Sequence, residues 1–192
     1  MAWISLFESG MSSTRRALRL VPKEPARHAQ TGQRSTQPWR VRFARAVAVA
    51  STGITLTAAV AHVLELPNKL ALDAPLWLAV QQHLYRGWGP VIGPFEIAAV
   101  LATWTLVYLS RDRRAGFAPA VVAAVCMTLA PLVFFVMNAP VNAAVGSWTA
   151  TTLPNDWEQY RLRWEVGHAI TCALALTAFV ALLRNADRRL GG

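Results

Sequence analysis

Four long apolar runs constrain this chain more than any other feature of its sequence. Each run has about 20 residues, the length that an α-helix needs to cross a hydrocarbon core of about 30 Å. Because the bilayer core offers no water to the backbone, spans of this kind must be helical. The sequence therefore predicts an all-α integral membrane four-helix bundle. The predicted spans are Ala44–Leu66, Pro90–Ser110, Ala118–Asn138 and Arg161–Leu183.

The composition agrees with a membrane protein and disfavours a soluble one. Hydrophobic residues make up 54% of the chain and charged residues only 15%, against about 25% charged in a typical soluble domain. The formal net charge is +9, but the basic residues flank the apolar runs and do not form a nucleic-acid-binding stripe. We therefore expect the lipid bilayer as a partner, no nucleic acid, and a multi-pass location in the cell membrane.

The distribution of basic residues predicts the orientation. Fifteen of the nineteen Lys and Arg residues lie in the N-terminal segment, the second link or the C-terminus. The first and third links hold the other four, namely Lys69, Arg86, Arg161 and Arg163. Because cytoplasmic segments carry the excess of basic residues, both termini are predicted to be cytoplasmic and these two links to be on the outer side.

The same patterns divide the chain into three parts. Residues 1–43 are basic, rich in proline and without an apolar period, which predicts a disordered cytoplasmic tail. Residues 44–184 form the bundle, and residues 185–192 form a short basic cytoplasmic C-terminus. Helical spacing of apolar residues between Pro75 and Trp88 predicts a short amphipathic helix in the first outer link. Pro67 is predicted to end the first span.

Ionisable residues cluster in the outer third of the predicted spans. His62 and Glu65 are three residues apart and so are Glu165 and His168, which places each pair on one helix face. Glu96 falls at a similar depth on the second span. Carboxylates and histidines that converge from antiparallel helices are typical of metal sites in four-helix bundles. These five residues are candidate ligands for iron, copper, manganese or zinc; a site without any cofactor is the alternative.

Each member of this set also has a purely structural interpretation. His62 and Glu65 would then cap the first span at the interface. Glu165 would pair with Arg161, four residues earlier on the same helix. Glu96 would lie favourably near the positive end of its helix.

Two asparagines and an arginine complete the candidate catalytic set. Asn138 and Asn142 flank Pro140, and either they satisfy the backbone groups that this proline frees or they stabilise an oxyanion together with Arg161. In the second interpretation a histidine acts as the base. The candidate catalytic residues are His62, Glu96, His168, Arg161, Asn138 and Asn142.

Three stretches resemble the anthrone-oxygenase-like family of small integral membrane proteins. They are AHVLELPNKLAL, NAPVN and LPNDWEQYRLRWEVGHA. The most specific elements are Asn-x-Pro-x-Asn and the Trp-Glu-x-x-His helix start, here Trp164, Glu165 and His168. The resemblance covers about residues 45–184 and implies a four-helix membrane bundle. Its named members oxidise anthrones to anthraquinones, while most bacterial members have no assigned substrate.

These observations lead to one principal functional hypothesis and two alternatives. The principal hypothesis is an oxidoreductase or oxygenase that acts on a hydrophobic aromatic or quinol-like substrate with dioxygen at an outer-facing His/Glu pocket. Either a metal activates the dioxygen, or a histidine deprotonates a phenolic substrate that then reacts directly. The first alternative is a non-enzymatic metal-binding or accessory subunit, which implies a membrane-complex partner or a second copy. The second is a small-molecule permease.

Overall fold

The computed structural model describes residues 38–112 and 114–187, and this part of the chain is helical without strands. Most of the predicted tail and the last five residues of the predicted C-terminal segment lie outside the described residues. The first helix begins at Trp39, so residues 39–43 belong to the bundle and not to the tail. Pro38 accepts a hydrogen bond from the Val41 amide at 3.0 Å and precedes the first helical turn.

Six α-helices and two π-helical turns make up the described chain. They are α1 (Trp39–Leu70), α2 (Ala74–Ala79), the π turn Val80–Leu84, α3 (Trp88–Ser110), α4 (Arg114–Val133), the π turn Phe134–Asn138, α5 (Ala139–Ser147) and α6 (Trp157–Asp187). We call the end of the bundle at which α1 ends and α6 begins the α2 end.

Four helical segments in the described residues are long and apolar enough to cross a membrane. They are Trp39–Leu70, Trp88–Ser110, Gly116–Ser147 and Trp157–Arg184. The third segment joins α4, a π turn and α5. The prediction of a multi-pass, all-helical membrane protein with four spans is confirmed at this level, and each span is extended at one or both ends.

The helices pack through small side chains in the half of the bundle away from the α2 end. Ala48 on α1, Ala99 on α3, Ala123 on α4 and Ala175 on α6 are all completely buried. Small side chains allow helix backbones to approach closely. The resulting van der Waals packing drives helix association in lipid, where the hydrophobic effect does not act between helices. This half of the bundle is therefore a tightly packed scaffold, and its buried polar groups include the hydroxyls of Thr52 and Thr103.

Prolines shape the α2 end, and one of them corrects a prediction. Pro67 does not end the first span, because α1 continues to Leu70. The amide that Pro67 lacks would have bonded to the Val63 carbonyl, and α1 continues for three residues without that bond. Arg161 donates to the chain at and just beyond the helix end: its Nη1 lies 3.4 Å from the Lys69 oxygen and 3.0 Å from the Leu72 oxygen.

The third span is irregular where Pro140 removes a backbone donor. The carbonyl of Val136, four residues earlier, cannot bond to a proline nitrogen. Arg163 on α6 donates to it instead, at 2.6 Å. One alternative predicted that Asn138 and Asn142 satisfy the backbone groups that Pro140 frees. The donor to the Val136 carbonyl is Arg163 and not an asparagine.

The first link contains the predicted short helix. Asp73 caps α2 by accepting from the Leu76 amide at 3.0 Å. Trp77 and Leu78 are buried against the other helices, whereas Leu76 is exposed. Gln82, in the following π turn, donates to the Val145 carbonyl at 2.8 Å and so fastens the link to the end of α5.

Candidate functional site

Two histidines meet at the α2 end. His62 on α1 and His168 on α6 have ring centroids 4.1 Å apart, with the rings tilted by 31°. His62 is eight residues before the end of α1, which places it about 12 Å inside that end. His62 is buried and its Nδ1 has no hydrogen-bond partner. Both imidazoles are therefore held close together below the surface of the bundle.

Aromatic side chains enclose this histidine pair. Trp164, one turn before His168 on α6, lies 4.2 Å from it between ring centroids. Tyr85 and Trp88 approach His62 to 4.8 and 5.1 Å. Trp164 is only 3% exposed, and its indole nitrogen donates to the Asn142 side chain at 2.9 Å. These contacts fix the orientation of the Trp164 ring beside the two imidazoles. We call the aromatic rings around the histidine pair the aromatic wall.

A buried ion pair lies next to the aromatic wall. Lys69 Nζ donates to Glu165 Oε2 at 2.8 Å, and both side chains are at most 4% exposed. The same ammonium group lies 4.8 Å from the Trp164 ring centroid and 3.9 Å from Glu65. Glu165 therefore pairs with Lys69. It does not form the ion pair with Arg161 that one structural interpretation predicted.

Tyr85 joins Glu65 to this network. The Tyr85 hydroxyl donates to the Glu65 carboxylate. Burial first, and then the hydrogen bond and negative charge of Glu65, raise the pKa of Tyr85 above its ordinary value. Tyr85 therefore remains a neutral hydrogen-bond donor at physiological pH.

Arg161 contacts the end of α1 and a glutamate on its own helix. It donates to the Lys69 carbonyl of α1, and its Nη2 lies 3.3 Å from Glu158, three residues earlier on α6. Its guanidinium carbon lies 4.5 Å from the Trp157 ring centroid. Arg161 is not among the residues that line the cavity described next.

A large cavity of about 1090 Å³ opens beside the histidine pair. Apolar and aromatic side chains dominate its lining, which comes from α1, the first link, α3, the third span and α6. Its polar members include His62, His168, Glu96, Gln81 and Asn142. Thr55 and Thr171 also line it. This cavity is large enough for a molecule of several rings.

The structure brings some of the predicted residues together and separates others. His62, Glu96, His168 and Asn142 line one cavity. Glu65 and Glu165 do not line it, because they are engaged by Tyr85 and Lys69. Asn138 is also outside it: this residue is buried, and its amide donates to the Trp164 carbonyl at 2.8 Å.

The predicted five-residue metal site is not assembled in the described part of the chain. No group of three or more His, Cys, Asp or Glu residues there is placed to hold a metal ion. The physical reason is the Lys69 ammonium, which lies within 4 Å of both Glu65 and Glu165 and occupies the position of positive charge that a metal would need. Glu65 and Glu165 are therefore engaged by other groups and are not free to act as metal ligands.

Three residues of the site were not predicted from the sequence. The sequence patterns identify Lys69 only as a basic residue of an outer link, and they identify neither Tyr85 nor Trp88 as a residue of the site. A signal for Lys69 was present, because it follows Glu65 by four residues and so shares its helix face once α1 continues past Pro67.

Comparison with known proteins adds no relative: no family model, no curated protein and no solved structure matches this chain.

Proposed function

We propose that this protein is a membrane oxidoreductase that oxidises a hydrophobic phenol or hydroquinone with dioxygen. The observation that carries the proposal is the pair of imidazoles, 4.1 Å apart, at the wall of an apolar cavity of about 1090 Å³. A base inside an apolar, aromatic-lined cavity suits a ring-shaped substrate with an acidic hydroxyl group.

The charge of the surroundings favours a neutral, proton-accepting imidazole. Two imidazolium cations at a ring separation of 4.1 Å would repel each other, and the buried Lys69 ammonium adds a third positive charge nearby. At least one ring of the pair is therefore neutral. A neutral imidazole can accept the proton of a phenolic hydroxyl group.

The proposed reaction balances without a further reactant. A hydroquinone gives up two electrons and two protons and becomes a quinone. Dioxygen takes up the two electrons and two protons and becomes hydrogen peroxide. The imidazole pair carries the protons one at a time from the hydroxyl groups to the reduced oxygen, while Asn142 and Glu96 provide polar contacts in the cavity.

The resemblance to the anthrone-oxygenase-like family favours an oxidative reaction over simple binding. The resemblance supports the reaction class and does not identify the substrate. No step of the proposal passes through a metal, because Glu65 and Glu165 are paired with other groups.

The test is oxygen consumption by the purified protein in lipid nanodiscs with a hydroquinone as substrate. We expect peroxide in equal amount to the oxygen consumed. His168→Gln and His62→Gln should each lower kcat by about a hundredfold or more, which is the usual contribution of a positioned base. Thermal unfolding of the same samples serves as the control for folding.

Two results would contradict the proposal. One is an unchanged rate in both histidine variants with folding intact. The other is saturable binding of the hydroquinone without any oxygen consumption, which would favour the accessory-subunit or permease alternative.

A further inference from the structure

The cavity is also open along its side, in the part of the bundle that lies within the membrane. Ile97, Leu101 and Phe135 all line it, and each is more than 60% exposed. Ile97 and Leu101 continue into an exposed apolar stripe on α3 that includes Trp104 and Tyr108. A stripe of this kind on a spanning helix faces lipid. The cavity therefore reaches the lipid-facing surface between α3 and the third span.

The side opening ends at Trp104, on the side away from the α2 end, and it forms where α3 and the third span separate. The Trp104 indole donates to the Thr128 hydroxyl at 3.0 Å, which closes the seam between α3 and α4 one turn beyond Leu101. Toward the α2 end, α3 has no comparable packing against the following π turn or against α5. The third span changes its helical geometry at Phe134–Asn138, and this is where the two spans separate.

The depth of the opening places it among acyl chains. Leu101 is nine residues from the Ser110 end of α3, or about 14 Å along the helix axis. A hydrocarbon core is about 30 Å thick, so this position lies well inside it. The histidine pair lies in the wall of the same cavity, with His62 about 12 Å inside the α2 end.

We infer that the cavity takes its substrate sideways from the bilayer and holds an amphiphile with a long hydrocarbon tail. The hydroxylated ring lies against His62 and His168, and the tail leaves between Leu101 and Phe135 into the lipid. This inference rests on the proposed function, and it narrows the substrate class from any hydrophobic phenol to a tailed one. A ring without a tail would enter instead at the α2 end, past the exposed Arg86 and the half-buried Gln82.

The test compares two ligands that differ only in the tail. Tritiated dodecylhydroquinone and tritiated hydroquinone are titrated against the protein in phosphatidylcholine nanodiscs, and binding is read by scintillation proximity. Leu101→Trp fills the side opening with an indole. Leu176→Trp is the matched control, because Leu176 is also an exposed leucine of a spanning helix but lies on α6 outside the cavity lining.

We expect Leu101→Trp to weaken binding of dodecylhydroquinone by about tenfold or more, which corresponds to about 1.4 kcal/mol. Hydroquinone binding should stay unchanged, and Leu176→Trp should affect neither ligand. If Leu101→Trp does not fold, Ile97→Trp blocks the same opening one turn away and carries the same expectation.

The remaining outcomes are distinguishable. If both ligands bind to the wild type and Leu101→Trp weakens both or neither, side entry is wrong and the proposed function stands. If hydroquinone binds but dodecylhydroquinone does not, side entry is again wrong. If neither ligand binds, the proposed function fails, and the inference fails with it.

Discussion

The buried Lys69–Glu165 pair gives the sharpest test of how the α2 end is stabilised. At 2.8 Å, the Coulomb attraction is about 6 kcal/mol for an effective dielectric constant near 20. Removal of both charges from water cancels much of this, so the net contribution of the pair is small. The loss of only one partner is different, because the other charge then remains buried without compensation, at a cost of about 3–5 kcal/mol.

Lys69→Met should therefore lower the free energy of unfolding by about 3–5 kcal/mol, because it leaves the Glu165 carboxylate without its cation. Glu165→Met should cost less, because Lys69 keeps Glu65 at 3.9 Å and the Trp164 ring at 4.8 Å. The double variant should recover most of the loss, since it buries no charge in this pair. Unfolding by sodium dodecyl sulfate in mixed micelles, followed by circular dichroism, measures all three variants.

The exposed pair Arg111–Asp112 provides the matched control. Its Nε–Oδ2 distance is 3.8 Å and Asp112 is 89% exposed, so Asp112→Asn should change stability by less than about 1 kcal/mol. The reasoning is refuted if Lys69→Met costs no more than this control, or if the two single effects simply add in the double variant. Either result would mean that the two charges are not coupled.

Three further predictions concern the same end of the bundle. Gly167→Ala should destabilise the protein by about 1–3 kcal/mol, because the new Cβ would come within 2.8 Å of the buried Asn138 amide carbon; thermal unfolding measures it. Tyr85→Phe should cost about 1–2 kcal/mol because Glu65 loses its donor. Because the folded state holds the pKa of Tyr85 above its ordinary value, wild-type stability should fall as pH rises beyond about 10, and Tyr85→Phe should lack this part of the decline. A reporter fused near Thr151 should be external, as the distribution of basic residues predicts, and a cytoplasmic signal there would reverse the predicted orientation.

The spans could be predicted because their signal is local. Length and apolar content belong to each segment alone, and lipid allows only one backbone solution for such a segment. The exact ends depended on tertiary contacts. Pro67 is a reliable helix breaker in isolation, yet α1 continues to Leu70, and Arg161 from another helix donates to the Lys69 carbonyl at that end. No local pattern contains that information.

The approach of His62 and His168 followed from helix geometry, since both lie at similar depth on antiparallel helices. What each carboxylate binds did not follow from it. Depth and helix face limit the possible partners of Glu165 to several groups. Which group it binds depends on side-chain rotamers and on competition between carboxylates for the Lys69 cation. The sequence predicted a His/Glu pocket but not the size of the cavity, which arises from the separation of α3 from the third span and not from any single segment.

The continuation of α1 past Pro67 decides the chemistry of the site. The additional turn places Lys69 beside Glu165, and the ammonium binds the carboxylate that would otherwise be free to act as a metal ligand beside His168. Glu65 is bonded to Tyr85, and its Oε2 lies 4.0 Å from His62 Nδ1, beyond hydrogen-bond distance. The wall of the cavity then presents two imidazoles among aromatic rings, with Glu96 on α3 as the carboxylate in its lining. The acid–base site that we propose for an apolar ring therefore depends on a helix that does not stop at its proline.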